Sequence, residues 1–162
     1  MLLNYANKKT TREITKSVKP ANFSSSFLPN DNLLIKGENL SVLKGLINNG
    51  YKEKIDLVYI DPPFATKNTF RTSENRSATI SSSSKDEIAY IDDKVGAEFI
   101  EFLRERLVLL KELMSSKSSI YLHIDYKIGH YVKVMMDEVF GISNFRNDIT
   151  RIKCNPKNFK RK

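Results

Sequence analysis

With 162 residues the chain is long enough to bury one hydrophobic core and short for two, and a composition of 40% hydrophobic and 28% charged residues with 9 Phe and 7 Tyr excludes wholesale disorder and collagen. A single Cys excludes an internal disulfide framework, and no apolar run approaches the roughly 20 residues needed to cross a bilayer, so the expectation is a cytoplasmic protein with no membrane partner. The formal charge of +8 is uneven: residues 1–30 carry five Lys/Arg and one acid, residues 146–162 seven and one, and the middle 15 bases against 17 acids. Basic ends suit phosphate contacts and solvated tails alike.

Residues 1–30 lack apolar periodicity and read as a basic, partly ordered arm. From Asn32 the pattern changes. Leu33-Leu34-Ile35 suits a short buried strand that ends in the turn Lys36-Gly37-Glu38-Asn39, after which Asn39 or Ser41 caps a helix over 40–48 and Gly50 stops it. Ile55-Asp56-Leu57-Val58-Tyr59-Ile60 is a β-rich run closed by Asp61-Pro62-Pro63-Phe64, and strand, helix, strand is the unit of a parallel sheet. Residues 65–94 are polar without a sustained period and read as a long loop, either a lid or a disordered insertion. A helix follows over 97–115, with Phe99, Leu103, Leu107, Leu110 and Met114 in a stripe. Residues 119–124 form another strand, Asp125 caps a helix carrying Ile128, Tyr131, Val132, Met135 and Val139, and Gly141 stops it. A last strand is expected over 148–152. The alternation predicts an α/β fold with an open, mostly parallel sheet and flanking helices, divided into the arm, a domain over 31–150 and a basic segment over 151–162.

In open α/β sheets ligands bind beyond the carboxyl ends of the strands, where Asp61-Pro62-Pro63-Phe64 sits. Two prolines remove two backbone donors and fix two φ angles, so the strand cannot continue and its last carbonyls become rigid acceptors. A carbonyl together with the Asp61 carboxylate can accept both hydrogens of a planar amino group, and Phe64 offers a face on which a heteroaromatic ring can stack. The same tetrapeptide is also an ordinary strand-ending turn. His123 and His130 have no Cys or close second His beside them and read as packing residues, so no metal site is expected.

Leu34-Ile35-Lys36-Gly37-Glu38-Asn39-Leu40, the run from Ile55 to Phe64, Phe99-Ile100-Glu101-Phe102-Leu103-Arg104-Glu105-Arg106-Leu107, Ser119-Ile120-Tyr121-Leu122-His123-Ile124-Asp125, Val139-Phe140-Gly141 and Asn155-Pro156-Lys157 together resemble a known family. It is the site-specific DNA amino-methyltransferases, in the permuted β-class order in which the catalytic motif precedes the cofactor motif. The likeness covers roughly residues 32–162 and is nearest to the modification enzymes of bacterial type II and type III restriction systems. Asp61 rather than Ser at the head of the motif resembles the adenine-N6 branch more than the cytosine-N4 branch.

The resemblance implies a Rossmann-like methyltransferase fold and S-adenosylmethionine as the methyl donor. It implies Asp61, Pro62, Pro63 and Phe64 as the amine-holding catalytic site, and a cofactor contact through Gly37, Glu38, Asn39 and Asp61, although 37–39 also read as a turn and helix cap. It implies double-stranded DNA as the partner, met by Lys67, Arg71, Arg151, Lys153, Lys157, Lys160 and Arg161, with the target base turned out of the duplex. The family's Phe-x-Gly-x-Gly cofactor loop does not occur: Gly stands only at 37, 45, 50, 96, 129 and 141, and no two of these are separated by one residue. The resemblance therefore implies an incomplete fold, the amino-terminal portion of an enzyme that is inactive alone and works with a complementing chain or a restriction subunit. The rival readings are a silent segment that only binds DNA or a partner, a cytosine-N4 enzyme and, more remotely, an RNA methyltransferase.

Overall fold

The structure is a computed structural model that describes residues 2–23, 32–62, 69–73, 76–79, 87–91 and 96–151; for the segments between 69 and 91 only the backbone is described. Its elements in chain order are α1 (Thr11–Ser17), α2 (Asn39–Leu46) continuing into a π-type turn (Ile47–Tyr51), β1 (Ile55–Ile60), β2 (Thr69–Ser73), β3 (Arg76–Thr79), β4 (Glu87–Ile91), α3 (Gly96–Leu113), β5 (Met114–Leu122), α4 (Tyr126–Phe140) and a 3₁₀ turn (Ile142–Asn144).

The α/β architecture rests on β1 and β5, which pair in parallel with Leu57, Val58, Tyr59 and Ile60 opposite Ser119, Ile120, Tyr121 and Leu122. A bulge in β5 absorbs the residues between the Ile55↔Met114 and Leu57↔Ser119 pairings, and there Ser115 Oγ donates to Asp56 Oδ1 at 2.5 Å. Side chains alternate along a strand. Val58 is therefore buried, and Ile60, Ile120 and Leu122 pack against a core built on Phe99, Ile100, Leu103, Leu107 and Val108 of α3 and Val132, Met135 and Val139 of α4. Helix α3 packs against α4, α2 and α1.

The helices follow their local signals. Asp125 caps α4, its carboxylate accepting from the Lys127 N–H at 2.9 Å, and Gly141 closes it at φ 93°. Gly50, at φ 83°, ends the turn after α2. The cap of α2 is Glu38 rather than Asn39 or Ser41: its carboxylate accepts from the Ser41 N–H at 2.8 Å. Within α4, Tyr131 lies exposed instead of joining the apolar face.

Helix α3 ends at Leu113, so Met114, expected in its stripe, begins β5 instead, and four further expectations need correction. Residues 33–35 form no strand, and Leu34 is fully exposed, because no neighbouring strand among the described residues pairs with that segment. Residues 148–151 are likewise irregular and exposed, with residue 152 outside the described part. The polar stretch 65–94 contains three strands in a separate antiparallel sheet of order β3-β2-β4; Thr and Ile residues supply the β propensity that polarity masked. The amino-terminal segment contains a helix that docks on α3. Thr10 and Glu13 form a reciprocal capping box on α1, and Ile14 is fully buried in the core.

That docking is also polar. Glu101 accepts the Tyr5 hydroxyl at 2.6 Å, the Lys9 N–H at 3.0 Å and both the Nε and Nη2 of Arg104 at 2.8 and 3.0 Å, while Arg104 donates further to the Lys9 carbonyl. Lys8 pairs with Glu138 at 2.7 Å and Lys9 with Glu105 at 2.5 Å, so part of the basic charge near the start is matched by acids of α3 and α4. Downstream, the segment crosses α2 closely: Ala21 N donates to Ser41 O at 2.8 Å, and a Cβ added at Gly45 would lie 2.6 Å from the Ala21 carbonyl.

Candidate active site at the carboxyl edge of the parallel pair

Strand β1 ends at Ile60, and Asp61 follows at the carboxyl edge of the parallel pair, where an α/β sheet presents its ligand-binding loops. The alternation that turns Val58 and Ile60 toward the helices turns Leu57, Tyr59 and then Asp61 toward the opposite face. Asp61 accordingly keeps 59% of its side chain exposed. Pro62 is half-buried. Pro63 and Phe64 lie outside the described residues.

The other strand delivers a partner. His123 N donates to Ile60 O at 2.8 Å, extending the ladder by one rung beyond the Ile60↔Leu122 pair, and His123 Nδ1 stands 3.3 Å from Asp61 Oδ1 with 47% of the His side chain exposed. His123, expected from the sequence to be a packing residue, is instead half-exposed and in contact with Asp61. Its signal was register: two parallel strands, each followed by one polar residue at the same edge.

The turn Gly37-Glu38-Asn39 has a different set of contacts. Arg106 of α3 donates from Nε to Asn39 Oδ1 at 2.7 Å and from Nη2 to Glu38 Oε1 at 2.9 Å, while its guanidinium stacks 3.6 Å from the Phe102 ring centroid. Burial raises the Glu38 carboxyl, but the Ser41 and Leu40 N–H groups and the Arg106 charge together hold it below the usual carboxylate range. Arg106 was not singled out from the sequence, since only the fold brings it to the turn.

The residues assigned to DNA contact are spread along the chain. Arg71 lies on β2, described in its backbone alone, and Arg151 is exposed at the end of the described chain; Lys67, Lys153, Lys157, Lys160 and Arg161 lie outside the described residues. The described residues offer two partly exposed carboxyl groups here, Asp61 and Glu38, whose oxygens can accept from the hydroxyl and amino groups of an adenosyl sulfonium.

Asp61, at the carboxyl edge of the parallel β1–β5 pair, falls within residues 55–162, which match the model of the DNA methylase family, and the chain belongs to that family. It is 37% identical over 151 residues to the type II methyltransferase M.EcaI of Enterobacter cloacae, covering 93% of this chain and 30% of that protein. It is 35% identical over 132 residues to the Mod subunit of the type III restriction-modification enzyme EcoP15I of Escherichia coli, covering 72% of this chain and 20% of that one. The type II methyltransferase M.KpnI of Klebsiella pneumoniae is 34% identical over 127 residues, covering 76% and 27%. The chain thus spans between 20% and 30% of the length of these relatives.

Proposed function

We propose that this chain supplies the amine-holding half of a restriction-modification DNA methyltransferase that methylates the N6 amino group of adenine in duplex DNA. The observation that carries the reading is the Asp61 carboxylate, exposed at the carboxyl end of β1 and followed by a Pro62 step that ends the strand. The names of the relatives, type II methyltransferases and type III Mod subunits, support a restriction-modification setting and, for the Mod-like ones, a restriction subunit as partner.

The amino nitrogen of adenine is conjugated with its ring and is a poor nucleophile. In the proposed mechanism, Asp61 and the Pro62 carbonyl accept its two N–H groups, so that the lone pair localises as the nitrogen becomes tetrahedral and the developing positive charge meets a carboxylate. S-adenosylmethionine, when bound, supplies the electrophilic methyl group, and Glu38, Asn39 and Asp61 are the residues here that would hold it. Phe64 stacks on the base once it has left the duplex, a contact worth about 1–3 kcal/mol. Since no two glycines are spaced to form the family's cofactor loop, residues 1–162 alone transfer little, and activity needs that loop from another segment or chain.

In the enzyme that contains this chain, Asp61→Ala abolishes methyl transfer while DNA binding by gel shift is largely retained; persistent turnover defeats the proposal. Nucleoside analysis of the product yields N6-methyladenine, whereas N4-methylcytosine would transfer the same geometry to the cytosine branch.

A further inference from the structure

We infer that His123 is a positioning residue for Asp61: its Nδ1–H holds one carboxylate oxygen so that the other is presented to the target amine. The inference rests on the function proposed above and deepens it. Three observations converge. The parallel register sets Tyr59 opposite Tyr121 and Ile60 opposite Leu122, so one further step along each strand puts Asp61 beside His123. The His123 N–H to Ile60 carbonyl bond, at 2.8 Å, ties the two strand ends together at that step. With Ile60 and Leu122 packed toward the helices, alternation sends both polar side chains to the opposite face, where Nδ1 and Oδ1 lie 3.3 Å apart.

An exposed Asp side chain has several rotamers of similar energy, and only some aim an oxygen at an amine held at the strand end. A neighbour fixed on the adjacent strand narrows that choice before substrate arrives, and catalysis by orientation requires such narrowing. The imidazole suits the task because one ring nitrogen can donate while the other is turned elsewhere, and the tautomer is selected by what stands beside it. Asp125, two residues on, caps α4 with Oδ1 accepting from the Lys127 N–H, while Asp61 Oδ1 stands 3.3 Å from His123 Nδ1.

Two measurements test the inference. In the enzyme that contains this chain, His123→Ala lowers kcat about tenfold with KM for DNA unchanged, the loss appropriate to one solvent-accessible hydrogen bond to a charged group. His123→Asn, whose side-chain amide nitrogen occupies nearly the place of Nδ1, recovers most of it. Wild-type kcat in His123→Ala, or an Asn variant no better than Ala, overturns the inference. Nitrogen NMR of histidine-labelled chain reads the pair without turnover: the His123 proton sits on Nδ1 and moves to Nε2 in Asp61→Ala, and a tautomer that does not change also overturns it. Transfer that survives Asp61→Ala while the tautomer does shift defeats Asp61 as the amine-holding group and leaves the His123–Asp61 pair standing.

Discussion

The two faces of the β1–β5 pair are made of similar residues and sit in opposite environments. On one face Val58 is 8% exposed, and behind it stand α3 and α4, with the amino-terminal segment docked on α3 as a further layer. On the other, Leu57 is 62% exposed, Tyr59 69% and Tyr121 50%. Apolar runs such as Ile55 to Ile60 characterise strands of parallel sheets that are covered on both sides, and the described residues cover one side here. Among the described residues, the burial that stabilises this pair lies on the helical side, while the proposed chemistry sits at the end of the more exposed side, where Asp61 and His123 continue the alternation begun by Tyr59 and Tyr121.

The sharpest way to break that contrast is at the outermost layer of the covered side. Arg104 is buried with its guanidinium against the Glu101 carboxylate and the Lys9 carbonyl. Arg104→Ala leaves Glu101 desolvated without its bidentate partner and costs about 3 kcal/mol in chemical unfolding. If the loss is below 1 kcal/mol, the amino-terminal segment is not part of the stable body. The same pair sets a pH dependence. Burial raises the Glu101 carboxyl, but donation from Arg104, Tyr5 and the Lys9 N–H outweighs it and draws the group below the usual carboxylate range. A depressed native pKa contributes stability that is fully present above the unfolded value of about 4.3 and is lost as pH falls through the native one. Thermal unfolding of Glu101→Gln should accordingly be less stable than wild type at neutral pH and show a flatter acid limb; parallel pH curves for the two proteins would contradict the network.

How far the sequence discloses this arrangement depends on whether a signal is local. The apolar stripe of α3 as far as Leu110, the Asp125 cap, the Gly141 stop and the Asp61-Pro62 strand end are each set by residues within a turn or two and appear where the pattern places them, whereas Met114, expected in the stripe, opens β5. The docked segment 2–23 was opaque because its cohesion comes from Tyr5, Lys8 and Lys9 reaching acids about 90 to 130 positions away, and no periodicity encodes that; only the capping box at Thr10 and Glu13 was there to be read. Leu33-Leu34-Ile35 erred the other way: its composition suits a strand, but a strand exists only where another is present to pair with it. At the site, Asp61 was evident from its setting before the prolines, whereas His123 and Arg106 become relevant only through tertiary neighbours.

The smallest expected effect lies on the bare face and completes the contrast, because it compares adjacent residues of one strand. Val58→Ala removes two buried methyl groups from the covered side of the sheet and costs about 2 kcal/mol. Leu57→Ala removes a larger apolar side chain from a position 62% exposed, where water already occupies most of its surroundings, and costs no more than about 0.5 kcal/mol in the isolated chain. Strand propensity alone disfavours Ala at both positions and spans only about 1 kcal/mol. Burial predicts a difference of more than 1 kcal/mol. Equal losses would mean that Leu57 is covered in solution, and the open side of the sheet would then have to be redrawn as a buried one.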